Sequence, residues 1–253
     1  MRVELIPSGV DGSLNGQVVA TTLVDDELAV DAGSLGLLPL ERQKQVRNVL
    51  LTHSHLDHIA TLPIFIDHVF VPGQPPATVF GSSETIAALR SHVFNDSLWP
   101  DVSKLIANEA DYMVLRSISA GSPLTIGRHA VTAFPLTHPA PTFGYHVDDG
   151  RDAVAFLSDT SDAATDLVSR LPRLRAVFLE ASFPKSMAWL AGASGHLTSA
   201  QFLDAACQFP PDVRVIPVHI KLKYASEIHD ELKSAGLSNV DVPTPGRVFE
   251  FRV

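Results

Sequence analysis

Thr52-His53-Ser54-His55-Leu56-Asp57-His58 decides how the rest of this chain is read. Three histidines and an aspartate fall within six residues, directly behind Val46–Thr52. That preceding run is apolar and rich in β-branched side chains, and it predicts a buried strand. Imidazole nitrogen with carboxylate oxygen suits zinc, manganese, iron or nickel better than calcium or magnesium. Two cations a few Å apart need such crowding, because one short loop must serve both. His53 and His55 share a face if the backbone is extended, and Asp57 with His58 opens the next turn, within reach of a second cation. The competing reading is a polar loop with incidental histidines, which needs four ligand-type residues to fall in this order by chance.

Working outward, three more residues of ligand type each stand just past an apolar run. His138 follows His129–Phe134, Asp159 follows Ala155-Phe156-Leu157-Ser158, and His219 follows Val215-Ile216-Pro217-Val218. Each alone is an ordinary strand-end polar residue. Beside the first motif they are enough to complete two metal sites at one sheet edge.

The rest of the pattern alternates strands and helices. Val3–Ile6, Gln17–Val24 and Glu27–Val30 read as strands, with Asp25-Asp26 as the hairpin between the last two. Asp31-Ala32-Gly33 turns the chain, with Gly33 the residue expected at positive φ. Leu38–Lys44 and Ser82–His92 read as helices, the second capped by Ser82. Further strands are expected at Tyr112–Leu115, His129–Phe134, Thr142–Val147, Val154–Leu157, Ala176–Leu179, Val213–Val218 and Arg247–Phe251. Further helices are expected at Asp162–Ser169, Thr198–Gln208 and Ala225–Ser234, and Pro63, Pro72, Pro75 and Pro76 mark loops. Strand groups in both halves with helices between them predict two sheets packed face to face with helices outside. No composition shift divides the chain, so residues 1–253 are read as one domain.

Composition narrows the function classes. The 253 residues are 45% apolar and carry a net charge of -9. An acidic chain offers no electrostatic footprint for a nucleic-acid backbone. The single cysteine, Cys207, excludes an internal disulfide framework and a thiolate-rich zinc site, and its neighbours Phe202, Leu203 and Ala206 suggest core packing. The first residues lack the pattern of a signal peptide, and no segment has the ~20 apolar residues of a spanning helix. A soluble cytoplasmic protein is expected.

The order His-x-His-x-Asp-His, then His, Asp and His at widening spacing, resembles the metallo-β-lactamase superfamily. The resemblance implies a four-layer αββα sandwich of mixed α/β class. It implies that His53, His55 and His138 hold one metal, that Asp57, His58 and His219 hold a second, and that Asp159 bridges them. Zinc is the expected metal, with manganese or iron as alternatives. Glu180-Ala181-Ser182-Phe183 and Gly195-His196-Leu197-Thr198 are similar to motifs of the phosphodiesterase branch, where the matching Glu and His form a dyad. Asp57, Glu180 and His196 are therefore carried as the catalytic residues. Glu180 otherwise reads as a buried strand-end acid, and His196 as a neighbour of a helix cap.

The finer resemblance is to class II 3′,5′-cyclic-nucleotide phosphodiesterases. His53–Ile59, His92-Val93-Phe94-Asn95, Leu98-Trp99-Pro100-Asp101, Glu180-Ala181-Ser182-Phe183-Pro184 and His219-Ile220-Lys221 carry it. This chain departs from that family at Ala60-Thr61 and in the early loop Ser8-Gly9-Val10-Asp11-Gly12. The resemblance implies hydrolysis of cAMP or cGMP to a 5′-monophosphate by hydroxide held between the metals, with a small-molecule cyclic nucleotide as partner, neither nucleic acid nor membrane, and a homodimer allowed. Asn95, Trp99 and Lys221 are the candidate substrate contacts, with Phe94 as a second stacking ring. His68, His129, His146 and His229 read as surface or strand residues rather than ligands. The rival readings are a tRNA 3′-processing endonuclease, which would want a basic surface, then a β-lactamase or thioesterase. A flavin-linked redox relative would carry Glu in the first motif, and a metal-free module would have lost ligands.

Overall fold

The computed structural model describes residues 1–8, 18–101, 112–244 and 246–251. Its strands lie in two sheets. The first sheet contains β1 (Arg2–Leu5), β2 (Thr22–Val24), β3 (Leu28–Val30), β4 (Asn48–Leu50), β5 (Thr78–Gly81), β6 (Val114–Ser117) and β13 (Val248–Glu250), in the order β13-β1-β2-β3-β4-β5-β6. The second contains β7 (Leu124–Ile126), β8 (His129–Leu136), β9 (Thr142–Asp148), β10 (Ala153–Leu157), β11 (Leu174–Glu180) and β12 (Arg214–Val218), in the order β12-β11-β10-β9-β8-β7.

The alternation of side chains along the strands explains the layering. On β3, Leu28 and Val30 face the core between the sheets, while Ala29 faces outward to a second apolar cluster. On β10, Val154 and Phe156 face inward, and Ala155 and Leu157 face a third cluster. β11 repeats this with Ala176 and Phe178 inward, Val177 and Leu179 outward. Strands apolar on both faces must be covered on both. On the first sheet the outer cover includes α3 (Leu62–Val69), which contributes Leu62, Phe65, Ile66 and Val69 at helical spacing. On the second it includes α7 (Ser199–Ala206) and α8 (Ala225–Ala235), through Phe202, Ala205, Ile228 and Leu232. The result is the αββα sandwich that the pattern predicts. Inside it, Phe156 and Phe178 stack at 5.0 Å across neighbouring strands. No helix among the described residues is long and apolar enough to cross a membrane.

β3 to β6 run parallel, as do β10 to β12. Their carboxyl ends are therefore aligned within each sheet, where open α/β sheets gather ligands. The Tyr145 hydroxyl donates to the Leu51 carbonyl at 2.6 Å, and Phe143 N–H donates to the Thr52 carbonyl at 2.9 Å. These bonds tie the second sheet to the first just ahead of His53.

Several expectations need correction. Gly33 is not at positive φ; Asp31 is, at 62°. Glycine is required at 33 for space, because a Cβ there would lie 2.2 Å from the Asp57 carbonyl oxygen. Pro63 marks no loop but sits in the first turn of α3, where its missing N–H costs nothing. Cys207 is exposed. It caps the end of α7 five residues after Phe202, about 140° around the helix from that buried ring. The region expected as one helix over Leu38–Lys44 is α1 (Leu40–Gln43). The Ser82 helix is α4 (Ser83–Ala88), continuing as a π-helical turn over Leu89–Val93. The helix expected from Asp162 is shorter, α5 (Thr165–Val168). Gln17 and most of the early loop, Gly9 to Gly12, lie outside the described residues.

Candidate metal centre

The chain leaves β4 in extended form, and His55 at φ -64°, ψ 149° precedes α2 (Leu56–Ile59), a single turn. His53 and His55 thus lie on the extended stretch, and Asp57 and His58 on the turn. His138 follows β8, Asp159 follows β10 and His219 follows β12. Asp159 and His219 take left-handed backbone at φ 53° and 55°. Such residues persist only where their surroundings hold them, and they concentrate at functional sites.

These seven side chains meet. One set of potential ligand atoms comes from His53, His55, His138 and Asp159, and another from Asp57, His58 and His219, each set within 4.8 Å. Asp159 joins them: its Oδ2 lies 3.6 Å from His53 Nε2 and 3.8 Å from His138 Nε2, and its Oδ1 lies 3.4 Å from His58 Nε2. His219 Nε2 is 3.1 Å from Asp57 Oδ2.

The donor set fits cations. His53 Nε2, His58 Nε2 and Asp159 Oδ1 are buried without hydrogen-bond partners. An orphaned buried polar atom is costly and calls for an ion or a ligand. The electrostatics agree. Burial disfavours charge on His58, yet the Asp31 and Asp159 carboxylates raise its proton affinity well above the ordinary value. Burial likewise pushes Asp159 up, but His219, His58 and His53 bring it well below the usual carboxylate range. Asp57 is also held low, because its hydrogen bond to His219 and the charge of His58 outweigh burial. The site therefore demands positive charge. His53, by contrast, is driven down to about 2, first by burial and then by His58, so its ring is neutral as a ligand must be.

Outer partners orient these candidate ligands. His58 Nδ1 is 2.7 Å from Asp31 Oδ2, and Asp31 also accepts from Thr52 N–H at 2.9 Å. Asp31 was not among the expected site residues. A lone Asp before Ala-Gly reads as a turn, and only its position past β3 hinted at more. His138 Nδ1 donates to the Gly195 carbonyl at 3.0 Å. Gly195 sits at φ 74°, and a Cβ there would lie 2.4 Å from Pro139 Cδ. Glycine therefore lets α6 (Ala188–Ser194) end against His138.

Beside the cluster, His196 Nδ1 lies 3.1 Å from both oxygens of Glu180. Glu180 is fully buried and accepts further from Thr160 N–H, Leu197 N–H at 3.0 Å and Ser182 O–H at 2.5 Å. The His196 ring lies 5.3 Å from that of His219 and 5.1 Å from that of His138. With Nδ1 committed to Glu180, Nε2 is left for chemistry at the cluster.

Lys221 stands at the rim, its Nζ 3.4 Å from His219 Nε2 and 3.9 Å from Asp57 Oδ2. Asn95 and Trp99 make no hydrogen bond or ring contact with the cluster among the described residues. The Asn95 side chain instead binds its own loop, donating to the Ser91 carbonyl and accepting from Ser97 and Leu98 N–H. Trp99 packs against the apolar cluster beneath the first helical layer. Phe94 belongs to that cluster and is 2% exposed, so its ring has no free face for stacking. His68, His129 and His146 are paired elsewhere, with Gln43, Asp25 and the Pro172 carbonyl.

The sandwich and the His/Asp cluster at its strand ends define a metallo-β-lactamase-fold protein. The chain belongs to the beta-lactamase superfamily domain family, whose model matches residues 29–220. It is similar to a probable 3′,5′-cyclic-nucleotide phosphodiesterase of Yersinia pestis, 24% identical over 232 residues, covering 73% of this chain and 66% of that protein. It is also similar to a 3′,5′-cyclic-nucleotide phosphodiesterase of Schizosaccharomyces pombe, 30% identical over 121 residues, covering 47% of this chain and 32% of that protein. The chain thus spans two thirds or less of these relatives' length. Among solved structures, unliganded yeast PDE1 superposes with a TM-score of 0.73 at 18% identity, covering 98% of each chain.

Proposed function

We propose that this chain is a dinuclear-metal phosphodiesterase that opens 3′,5′-cyclic nucleotides, cAMP or cGMP, to nucleoside 5′-monophosphates. His53, His55 and His138 would hold one cation, Asp57, His58 and His219 the other, and Asp159 would face both. Zinc matches this nitrogen-rich donor set. When bound, the cations supply Lewis-acid stabilisation of phosphate charge and a nucleophilic water at neutral pH.

The observation that carries the reading is the Glu180–His196 pair beside the cluster. A phosphodiester expels an alkoxide, which leaves readily only if protonated. His196 holds its Nδ1–H against Glu180 at 3.1 Å, so its Nε2 can carry a proton to the 3′-oxygen. Glu180 fixes the ring. Lys221 Nζ, beside His219 and Asp57, supplies a cation at the rim for a non-bridging phosphate oxygen. The relatives named above support cyclic nucleotides as the substrate.

The test is turnover of cAMP and cGMP by zinc-loaded protein, with a chelated sample and bis-p-nitrophenyl phosphate alongside. Metal-dependent release of 5′-nucleotide is expected. Hydrolysis of the generic diester without either cyclic nucleotide would overturn the substrate and turn attention to RNA, against which the net charge of -9 argues. His196→Ala is expected to lower kcat by roughly 100- to 10,000-fold on cAMP with metal content unchanged. Full turnover in that variant would remove His196 as the acid.

A further inference from the structure

We infer that Ser182 is a positioning residue that sets which ring nitrogen of His219 faces the metal centre, so that Glu180 orients both His196 and His219. The inference rests on reading His219 as a metal ligand. It adds a link between the acid pair and the metal centre.

The link starts from strand register. β11 pairs parallel with β12, Glu180 opposite Val218. Both chains then leave the sheet side by side, with Lys221 N–H donating to the Ser182 carbonyl at 3.3 Å. His219 takes left-handed backbone, φ 55°, and its ring meets the Ser182 hydroxyl. Ser182 is fully buried. Its Oγ lies 2.5 Å from Glu180 Oε2, 3.0 Å from His219 Nδ1 and 3.1 Å from the His219 carbonyl oxygen.

The hydroxyl has one proton and two lone pairs. The short contact to a carboxylate is the stronger claim on the proton, because charge-assisted bonds are shorter and stronger than neutral ones. Ser182 therefore donates to Glu180, and its lone pairs remain for His219 Nδ1–H. The other oxygen near that nitrogen is Asp159 Oδ1 at 3.2 Å, but this atom has no hydrogen-bond partner. With one proton fixed on Nδ1, Nε2, the nitrogen 3.1 Å from Asp57 Oδ2, is the one that gives up its proton and offers a lone pair when a cation binds. A ligand whose other ring nitrogen is hydrogen-bonded is pre-set in tautomer and orientation. One buried carboxylate thus reaches the metal centre through a hydroxyl and an imidazole, and the acid through a direct bond.

The experiment combines nitrogen-15 NMR of the histidine rings with zinc affinity by chelator competition. In wild-type zinc-loaded protein, His219 is expected to show a protonated Nδ1 and a coordinated Nε2. A coordinated Nδ1 would overturn the inference without any variant. Ser182→Ala, with folding checked by circular dichroism, is expected to weaken one of two zinc ions roughly 10- to 100-fold and leave the other unchanged. Glu180→Gln is expected to weaken that same ion in the wild-type background but add nothing in the Ser182→Ala background. Additive losses would mean that Glu180 acts by its charge alone and not through the hydroxyl, which overturns the link. None of these readouts uses substrate. A protein that passes them but cleaves no cyclic nucleotide would sink the proposed function and leave this inference standing.

Discussion

Asp31 shows how much one side chain outside the ligand set can decide. It takes φ 62°, and from there its carboxylate reaches both His58 Nδ1 at 2.7 Å and the Thr52 backbone and hydroxyl. Aspartate and asparagine tolerate that backbone better than other residues with a side chain. Asp31→Asn therefore tests the charge with the turn intact. The Asn side chain has one acceptor, and Thr52 N–H already claims it. Its NH₂ then opposes His58 Nδ1–H, and the imidazole is expected to move its proton to Nε2, which removes the ligand lone pair. Zinc affinity, measured by competition with a chelator, should fall roughly 10- to 100-fold. Wild-type affinity in the variant would reduce Asp31 to a turn residue.

At the scale of elements, two helix caps separate stability from chemistry. Ser82 accepts from Thr85 N–H at 3.0 Å at the start of α4. Thr198 forms a capping box with Gln201 at the start of α7. Either cap replaced by alanine should cost about 1 kcal/mol, read from denaturant unfolding. Ser82→Ala should keep its kinetic constants. Thr198→Ala should also lose turnover, because Leu197 N–H on Glu180 and the His196 ring lie immediately before that cap. Equal kinetics in the two variants would uncouple α7 from the acid pair. The same elements show where the sequence is legible. The seven clustered residues of ligand type stand out because cations need particular atoms, crowded on one loop and repeated at strand ends. Asp31 and Ser182 do not stand out, because their identity fits a turn or a polar strand end equally well. β3, β10 and β11 are readable as apolar runs covered on both faces. α3 was hidden because Pro63 signals a break everywhere except a first turn. β5, at four residues, offers too short a run to show a period.

The whole molecule is a sandwich clamped at both ends. At the site end the His/Asp cluster joins the sheets, with Asp159 Oδ1 3.4 Å from His58 Nε2 and His219 Nε2 3.1 Å from Asp57 Oδ2. At the other end, before β3 begins, the β2–β3 hairpin turns through Asp25 and Asp26 at φ 52° and 60°. Asp25 reaches across to the second sheet, 2.8 Å from His129 Nε2 and 3.0 Å from the Arg128 guanidinium, and accepts from Arg2 N–H at 2.7 Å. Burial pushes the Asp25 carboxyl up, and this is the largest single effect. The His129 hydrogen bond, the Arg2 N–H and the charges of Arg128 and His129 together outweigh it, bringing the carboxyl from 3.8 down to about 2. The folded state thus favours the ionised form. Its contribution is complete above about pH 4 and is lost as the pH falls toward 2. By linkage the shift corresponds to about 2 kcal/mol, a useful share of a marginal fold. Asp25→Asn keeps a residue that tolerates the left-handed turn and removes the titrating group. Urea unfolding followed from pH 6 to pH 2 should show the variant less stable at pH 6 by about that amount and nearly equal to wild type at pH 2. Parallel curves over the whole range would place the acid sensitivity of this sandwich elsewhere, and the His/Asp cluster at its opposite end would then be the group to examine.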